Sequence, residues 1–592
     1  MSAVPAIRQR ILDGGLGIPA TTPDLLHNKI GVCTKGPRLT PTFVTDVTTL
    51  VSLFGAGPLV DGAAYHIQLS GSLWVTRTAT TNVGTIGAVT KIPVGAGTGT
   101  LAVALSSFTV HAVIAAGAPL NVTTGWSPLP IPGLVSITLG AGGVATNYVI
   151  TGKDLSGNVY TTTETVAAAG PGTFTSTREY SEIIKLTSNV DPVGTTTVFT
   201  AALTPADAYE VVVEVIQTGS VAGQSLQFRY SLDNGRTFSN TLVVPASGVM
   251  DVQSYAPGSS PPYLGFKFTF ADGAGPSYFL AGDKFTLSTT APTWSLSALI
   301  DGMDAIANDP DKRQFYSGFH AVGAADGTVF TGVETQLVSY ADTKFQYRFM
   351  ILESTRQDST AEATWAAAVV SSFNVTGVYT SVVAMDMNVY SPALRTYNRR
   401  NFGSVYTARL FACPISELPS HVDCETVYGT KTALDGVTKL YQGDASMTTL
   451  TLANIVTARQ YATRTGFYIT RGIQKTLETS DYRDITNRRV MNVAATVGYD
   501  VALPFLQANL LANPATGRLD ESEANNVKAS IEGKERVVLL GGSRRHVSGL
   551  DVRVSTDNPF LQDRTLYTTI RIVPRGAVDF IEQTYSYAPS IT

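Results

Sequence analysis

Cysteine is scarce: the 592-residue chain has three, Cys33, Cys413 and Cys424. Three thiols cannot form a disulfide framework, so the composition reads as that of a reducing compartment. Histidine occurs six times and tryptophan four times. Charge is thin as well. Asp, Glu, Lys and Arg make up 15% of residues and the net charge is −4 at pH 7, which excludes a global pull toward nucleic acid or an anionic membrane surface. Long apolar runs are missing. Leu101–Ala118 is broken by Ser106, Ser107, Thr109, His111 and Gly117, and Val493–Leu511 by Asp500, Pro504, Gln507 and Asn509. Neither offers the roughly 20 continuous apolar residues of a membrane span. The opening MSAVPAIRQR lacks the basic start and apolar core of an export signal. These absences predict a soluble protein made in a cytoplasm.

What is present points to several domains. Chain length suits about four units of roughly 150 residues, and a 44% hydrophobic content suits globular cores. Residues 1–40 hold many breakers, among them Gly14, Gly15, Gly17, Pro19, Pro23, Gly36 and Pro37, and read as an extended arm. Residues 41–80 read as a compact unit with an apolar helix over Val47–Phe54 and a strand over Ser72–Arg77. Glycine, threonine, alanine and valine dominate the first half, the composition of β-sandwich modules. Residues 81–204 and 205–291 are expected to be two such modules, divided near Pro205. Their turns are Lys153–Gly157, Asp233-Asn234-Gly235 and Ala271-Asp272-Gly273, and Phe266, Phe268 and Phe270 alternate with polar residues. Residues 292–440 change to helices (Ala298–Asn308, Ala361–Phe373) alternating with strands (Arg348–Glu353, Val382–Tyr390), which predicts an α/β layer with a partly parallel sheet. In 441–580 a helix over Glu521–Ile531 is capped by Asp520, with Glu523 in the capping-box position and Gly533 as its stop. Its apolar face is Ala524, Val527 and Ile531. The strand Leu566–Val573 alternates and ends at Pro574. Residues 581–592 form an apolar-aromatic tail expected to pack on another subunit.

Motifs for catalysis are weak. Ser231-Leu-Asp233-Asn-Gly235-Arg-Thr237-Phe238 matches the Asp-box turn of sialidase propellers, but one copy without further blades reads as a tight hairpin turn. Gly95–Gly99 and Gly14–Gly17 open no convincing helix, so a dinucleotide site is not expected, and there is no phosphate loop. Cys413, His421 and Cys424 offer three metal ligands where a structural zinc needs four. No catalytic, cofactor or metal residue is assigned, and an enzyme is not expected. The basic cluster Arg471, Lys475, Arg483, Arg488 and Arg489 alternates with Glu478, Asp481 and Asp484. It reads either as a solvated, self-paired face or as a surface for a charged protein partner.

Three segments resemble contractile tail sheath proteins of phages and phage-like injection systems. The first is GVCTKGP (Gly31–Pro37) with PTFVTD (Pro41–Asp46), Leu53–Gly55 and LWVTR (Leu73–Arg77). The second is Gly466–Asn492, and the third runs from Asn558 to Pro574. The resemblance implies a multidomain α+β protein: an α/β sheath core, inserted β-sandwiches facing outward, a tube-proximal domain over 441–580, and terminal arms over 1–40 and 581–592. It implies a structural subunit that stacks as hexameric rings in a helical sheath around a tail tube protein. Baseplate and tail terminator proteins would be further partners, with no direct nucleic acid, no membrane insertion and no cofactor. The place would be a virion tail assembled in the host bacterial cytoplasm. Arg471, Lys475, Arg483, Arg488 and Arg489 would meet the tube. Strand exchange between subunits would use Val4, Ile7 and Ile11 of one arm, Leu566, Ile570 and Ile572 of the receiving strand, and Ile581, Tyr585 and Tyr587 of the other arm. A heterologous, non-closing contact of this kind generates a helical array. The competing reading is a tail-associated host-binding or adhesin protein that uses 81–291.

Overall fold

The computed structural model describes residues 26–577, apart from 115–118, 127–132, 140–145, 154–158, 167–171, 192–195, 201–202, 256–260, 275–277, 358–360, 423–429, 435–438, 441–443, 462 and 542–544. Its centre is an α/β layer. The chain enters through β1 (His27–Gly31), which is buried throughout. It continues through β2 (Thr42–Val44), α1 (Val47–Phe54), α2 (Pro58–Ser70) and β3 (Leu73–Arg77). More than 200 residues later it returns with α3 (Leu296–Ala307), the strand Gly318–Ala324, α4 (Gly327–Lys344), the strand Phe349–Glu353, α5 (Glu362–Ser372) and the strand Thr380–Val383. The six-stranded sheet runs β2, β3, β1, then the three later strands in chain order, and only β2 is antiparallel to its neighbour.

A parallel sheet is covered on both faces, so its strands carry little alternation. Phe349–Glu353 and Thr380–Val383 are buried at every position. The arm expected over 1–40 is therefore too long. Residues 27–31 are a central strand, hidden in the sequence because His27, Asn28 and Lys29 are polar side chains with 0% exposure. Helix α1 has the expected bounds, and Asp46 Oδ1 accepts from the Thr49 amide at 2.7 Å. Helix α2 was not expected. It is buried continuously from Pro58 to Ile67, so it lacks the polar face that gives a helix its period.

The strand expected over Val382–Tyr390 is two strands. Thr380–Val383 ends the parallel sheet, and Asp386–Tyr390 pairs with Tyr397–Asn401 in another. Between them Ala384 donates to the Val456 carbonyl (2.9 Å) and Met385 accepts from the Phe402 amide (2.8 Å), which redirects the chain. Helix α6 (Gly403–Ala412) then crosses back over the sheet and packs on α2. The boundary expected at 440 is not one: Leu450 of α7 (Asp444–Leu452), Ile455, Val456, Ile473 and Ile485 share the core of the α/β layer.

The inserted region is two sandwiches, one inside the other. The outer one pairs Thr90–Ile92 with Lys284–Ser288 and Thr100–Leu105 with Tyr263–Ala271, closing over Phe228, Phe266, Phe268 and Phe270. The inner one uses strands from Thr109–Ile114 to Thr196–Thr200 in two four-stranded sheets around Val135, Ile137, Tyr148 and Ile150. Thus 81–204 is not one module and 205–291 another: residues 90–105 complete the second sandwich. The Asp-box segment is a turn. Ser231 Oγ donates to Asp233 Oδ1 and the Thr237 amide to the same oxygen, both at 2.8 Å, with Gly235 at φ 81°.

Both sandwiches are clamped to the layer. Arg77 makes two bonds to Glu179 of the inner sandwich (2.7 and 3.0 Å) while also donating to the carbonyls of Cys33 and Gly36. Arg400 bonds both Asp61 of α2 and Asp207 at the root of the outer sandwich. Breaking either buried pair would strand a charge.

Candidate assembly surface

The C-terminal module is thin. It consists of α8 (Ile485–Ala502), α9 (Glu521–Leu539) and the antiparallel strands Gly549–Val554 and Thr568–Val573. Asp520 caps α9 as expected, its Oδ1 accepting from the Ser522 amide at 2.8 Å. Ala524, Val527 and Ile531 are the buried face. Gly533 does not stop the helix. A Cβ there would meet nothing within 4 Å, so the glycine costs about 1 kcal/mol of propensity while Ile531 and Leu539 on either side remain packed.

The two strands form a sheet of their own, so each has an outer edge without a β partner among the described residues. Leu566, Ile570 and Ile572 turn inward against the module's small apolar clusters, whereas Tyr567, Thr569, Arg571 and Val573 are exposed. The Ser555 amide donates to the Tyr567 carbonyl at 2.9 Å. Alternation of an antiparallel ladder then aims the main-chain groups of Thr568, Ile570 and Ile572 at the open edge. An open edge is a template for strand addition. The same module exposes large apolar side chains: Leu506 is 72% exposed, Val537 70%, Leu511 65% and Leu561 63%. Exposed apolar side chains of this size suit a contact surface when something docks on the module. Val4, Ile7, Ile11, Ile581, Tyr585 and Tyr587 lie outside the described residues.

The basic cluster is not a surface patch, and the expectation for three of its members is corrected. Arg489 is 2% exposed and points into the layer. Its guanidinium donates to the carbonyls of Leu410 (3.0 Å), Cys413 (3.4 Å) and Pro414 (3.5 Å), at and just beyond the C-terminal end of α6. Arg488 lies between the rings of Tyr379 and Tyr482, at 4.4 and 4.1 Å from their centroids, and donates to Asn492. Lys475 donates to the Ala453 carbonyl at 2.7 Å. These three cations join α8 and its approach to the α/β layer. Arg471 and Arg483 are half-buried and pair with Asp484 (3.4 Å) and Glu478 (3.6 Å).

Nothing in the sequence marks a second polar group at the centre of the layer. Lys29 Nζ donates to His320 Nδ1 (2.7 Å), and His320 Nε2 donates to Glu353 Oε1 (3.1 Å). Glu353 Oε2 accepts from the Gly323 amide at 3.0 Å. His27 and His66 lie beside it, 4.1 Å apart by ring centroid, with His27 stacked on Phe411. Burial lowers Lys29 to about 7 against the opposing pull of Glu353. Burial and then Lys29 lower His320 to about 4. Burial pushes the Glu353 carboxyl up, but the His320 bond and charge, the Gly323 amide and Lys29 outweigh it and hold it below its usual range. Lys29, His320, His27 and His66 are 0% exposed and Glu353 is 6% exposed, so the group is closed off from solvent.

Among the described residues no set of His, Cys, Asp or Glu is placed to hold a metal. Cys413 is buried, His421 pairs with Glu417 (3.1 Å), and Cys424 lies outside the described residues. No described helix is long and apolar enough to cross a membrane.

No curated protein matches this sequence. Among solved structures the chain is similar to a sheath tail protein from Listeria innocua, at 8% identity over 93% of this chain and 94% of that one, TM-score 0.39. It is similar to a sheath tail protein from Desulfitobacterium hafniense, at 9% identity over 96% and 100%, TM-score 0.39. A third likeness is to the sheath complex of an extracellular contractile injection system in its contracted state, at 11% identity over 46% and 71%, TM-score 0.35. Residues 4–473 match the family described as DUF2586, N-terminal domain, and the chain is a member of that family.

Proposed function

We propose that this protein is the structural subunit of a contractile tail sheath, polymerising helically around an inner tube and contracting to drive that tube through a host envelope. The observation that carries the reading is the open edge of Thr568–Val573, in a module that exposes large apolar side chains and followed in the sequence by an apolar-aromatic tail. The resemblance of Gly31–Pro37, Leu73–Arg77, Gly466–Asn492 and Asn558–Pro574 to sheath proteins supports the same reading. Strand addition suits this work because main-chain bonds hold a joint while the bodies it connects rotate. A helical polymer follows when the exchanged segment and its receiving edge are different surfaces. In this proposal 1–25 and 581–592 are the exchanged arms, and Arg471 and Arg483 are the two cations of the basic cluster near enough to the surface to meet a tube.

Deleting residues 1–25 tests it. The cut must stop before Leu26, because Leu26 is buried and His27 opens the central strand. The expected outcome is a folded subunit that no longer forms long hollow cylinders under negative stain, while the full chain does. Normal cylinders from the truncated chain, or monodisperse particles from the full one, would count against the reading.

A further inference from the structure

Helix α9 buries a stripe four residues apart: Val527, Ile531, Glu535 and Leu539. The third member is a glutamate. It is 0% exposed, and neither carboxyl oxygen has a hydrogen-bond partner among the described residues. It stands where the module's apolar packing divides in two. On one side are Val490, Ala494, Leu539 and Val547, and on the other Val527, Ile531 and Val552 with Val501, Phe505 and Ile570. Facing it on α8 is Gly498, where a Cβ would sit 3.2 Å from Glu535 Oε1 and 3.3 Å from Ile570 Cδ1. The glycine makes the space that the carboxyl occupies.

Among the described residues no charge compensates it. On α9, Glu532 and Arg536 pair with each other at 2.7 Å and Lys534 is exposed. On α8, Asp500 is exposed. On the strand pair, Asp551 and Arg553 bond each other (2.8 Å) and Arg571 is exposed. His546 bonds Ser416 at 3.0 Å. An unpaired buried carboxylate is costly, and such a group stays neutral instead.

We propose that the α8–α9 seam is a proton-sensitive joint: with Glu535 neutral the two helices close over each other, and its ionisation loosens α9 from α8 and from the strand pair. Burial raises the Glu535 carboxyl from 4.5 to about 7. A folded value above the unfolded one means that stability from the neutral carboxyl is fully present below 4.5 and is lost as the pH rises through about 7. The joint is a property of a single subunit, whatever that subunit assembles into. Because α9 packs on Gly549–Val554, loosening it also frees the sheet whose outer edge is open.

Hydrogen exchange of the full chain, read by mass spectrometry on peptides from 521–539, tests the joint. Wild type is compared with Glu535→Gln at pH 5 and at pH 8, so that intrinsic exchange cancels at each pH. The two should match at pH 5. At pH 8 the wild type should exchange roughly ten-fold faster or more, because ionising a carboxyl held well above its ordinary value weakens the closed joint by at least that factor, with α4 peptides unchanged. A ratio that is the same at both pH values overturns the proposal. If Glu535→Gln does not fold, Glu535→Leu serves, and wild-type-like pH dependence in it overturns the proposal too. If neither variant folds, wild-type protection of α9, corrected for intrinsic exchange, must fall between pH 5 and pH 8, and a flat profile is the overturning result.

Discussion

The α/β layer and the C-terminal module each bury a glutamate. Glu353 is held by His320, by the Gly323 amide and, through His320, by Lys29, in a core that runs from Ile30 to Ile485. Glu535 has no hydrogen-bond partner among the described residues and sits in a seam between two clusters of five and three buried residues. The first arrangement suits a rigid frame, since Lys29, His320 and Glu353 satisfy one another and removing one strands the others. The second suits a part whose fit depends on conditions and on neighbours. The module also exposes Leu506, Leu511, Val537 and Leu561, although Leu452 of α7 in the layer is more exposed than any of them. A thin module with uncovered apolar area gains burial when something docks on it.

The sharpest way to break this contrast is Glu353→Ala. It leaves Lys29 and His320 buried without their carboxylate, and the expected loss is about 3–5 kcal/mol. The urea midpoint of the full chain should fall accordingly. A midpoint within error of wild type would mean that the layer is no more dependent on its partners than the module is.

Next is the sign of the pH response. His27 and His66 are held well below 6.5, first by burial and then by neighbouring basic groups. Lys29 is lowered from 10.5 to about 7. Folded values below the unfolded ones mean that the unfolded chain takes up protons first. The Lys29 contribution is lost as pH falls from 10.5 to about 7, and the histidine contributions as pH falls below 6.5. The layer should therefore weaken on acidification, by up to about 1.4 kcal/mol per group for each pH unit crossed between its unfolded and folded values, while α9 tightens. Exchange of the strands Gly318–Ala324 and Phe349–Glu353 at pH 8 and pH 5.5, compared with peptides from α9, measures both signs in one sample. Parallel trends would dissolve the comparison.

The smallest effect on folding is expected from Val537→Ser. Val537 is 70% exposed, so stability should change by less than about 0.5 kcal/mol. Self-association, measured by sedimentation, should fall all the same. Unchanged association would place the contact surface elsewhere.

Local grammar was legible where the chain meets water on one side. Helix α1 begins and ends where Asp46 and Gly55 place it. Phe266, Phe268 and Phe270 are all buried, as their alternation requires, and Leu566, Ile570 and Ile572 turn inward. Helix α2 and β1 escaped because complete burial removes periodicity. Lys29 and His27 look like solvent-facing residues in a sequence, and it takes His320, far along the chain, to explain them. The basic cluster misled for the same reason. Charge is visible in a sequence and burial is not, and the acceptors of Arg489 are carbonyls more than 70 residues earlier. Glu535 was equally hidden, since one glutamate in a polar helix has no mark to set it apart from Glu532.

The nesting of one sandwich inside the other sets an order on the ribosome. Thr100–Leu105 emerges early, yet its partner Tyr263–Ala271 is still to be made. At about 5–20 residues per second that wait is on the order of ten seconds, in which Thr109–Thr200 can complete the inner sandwich alone. Strand β1 can pair with β3 early, but its other edge stays open until Gly318–Ala324 arrives. The inner sandwich is thus ready before the central sheet is complete.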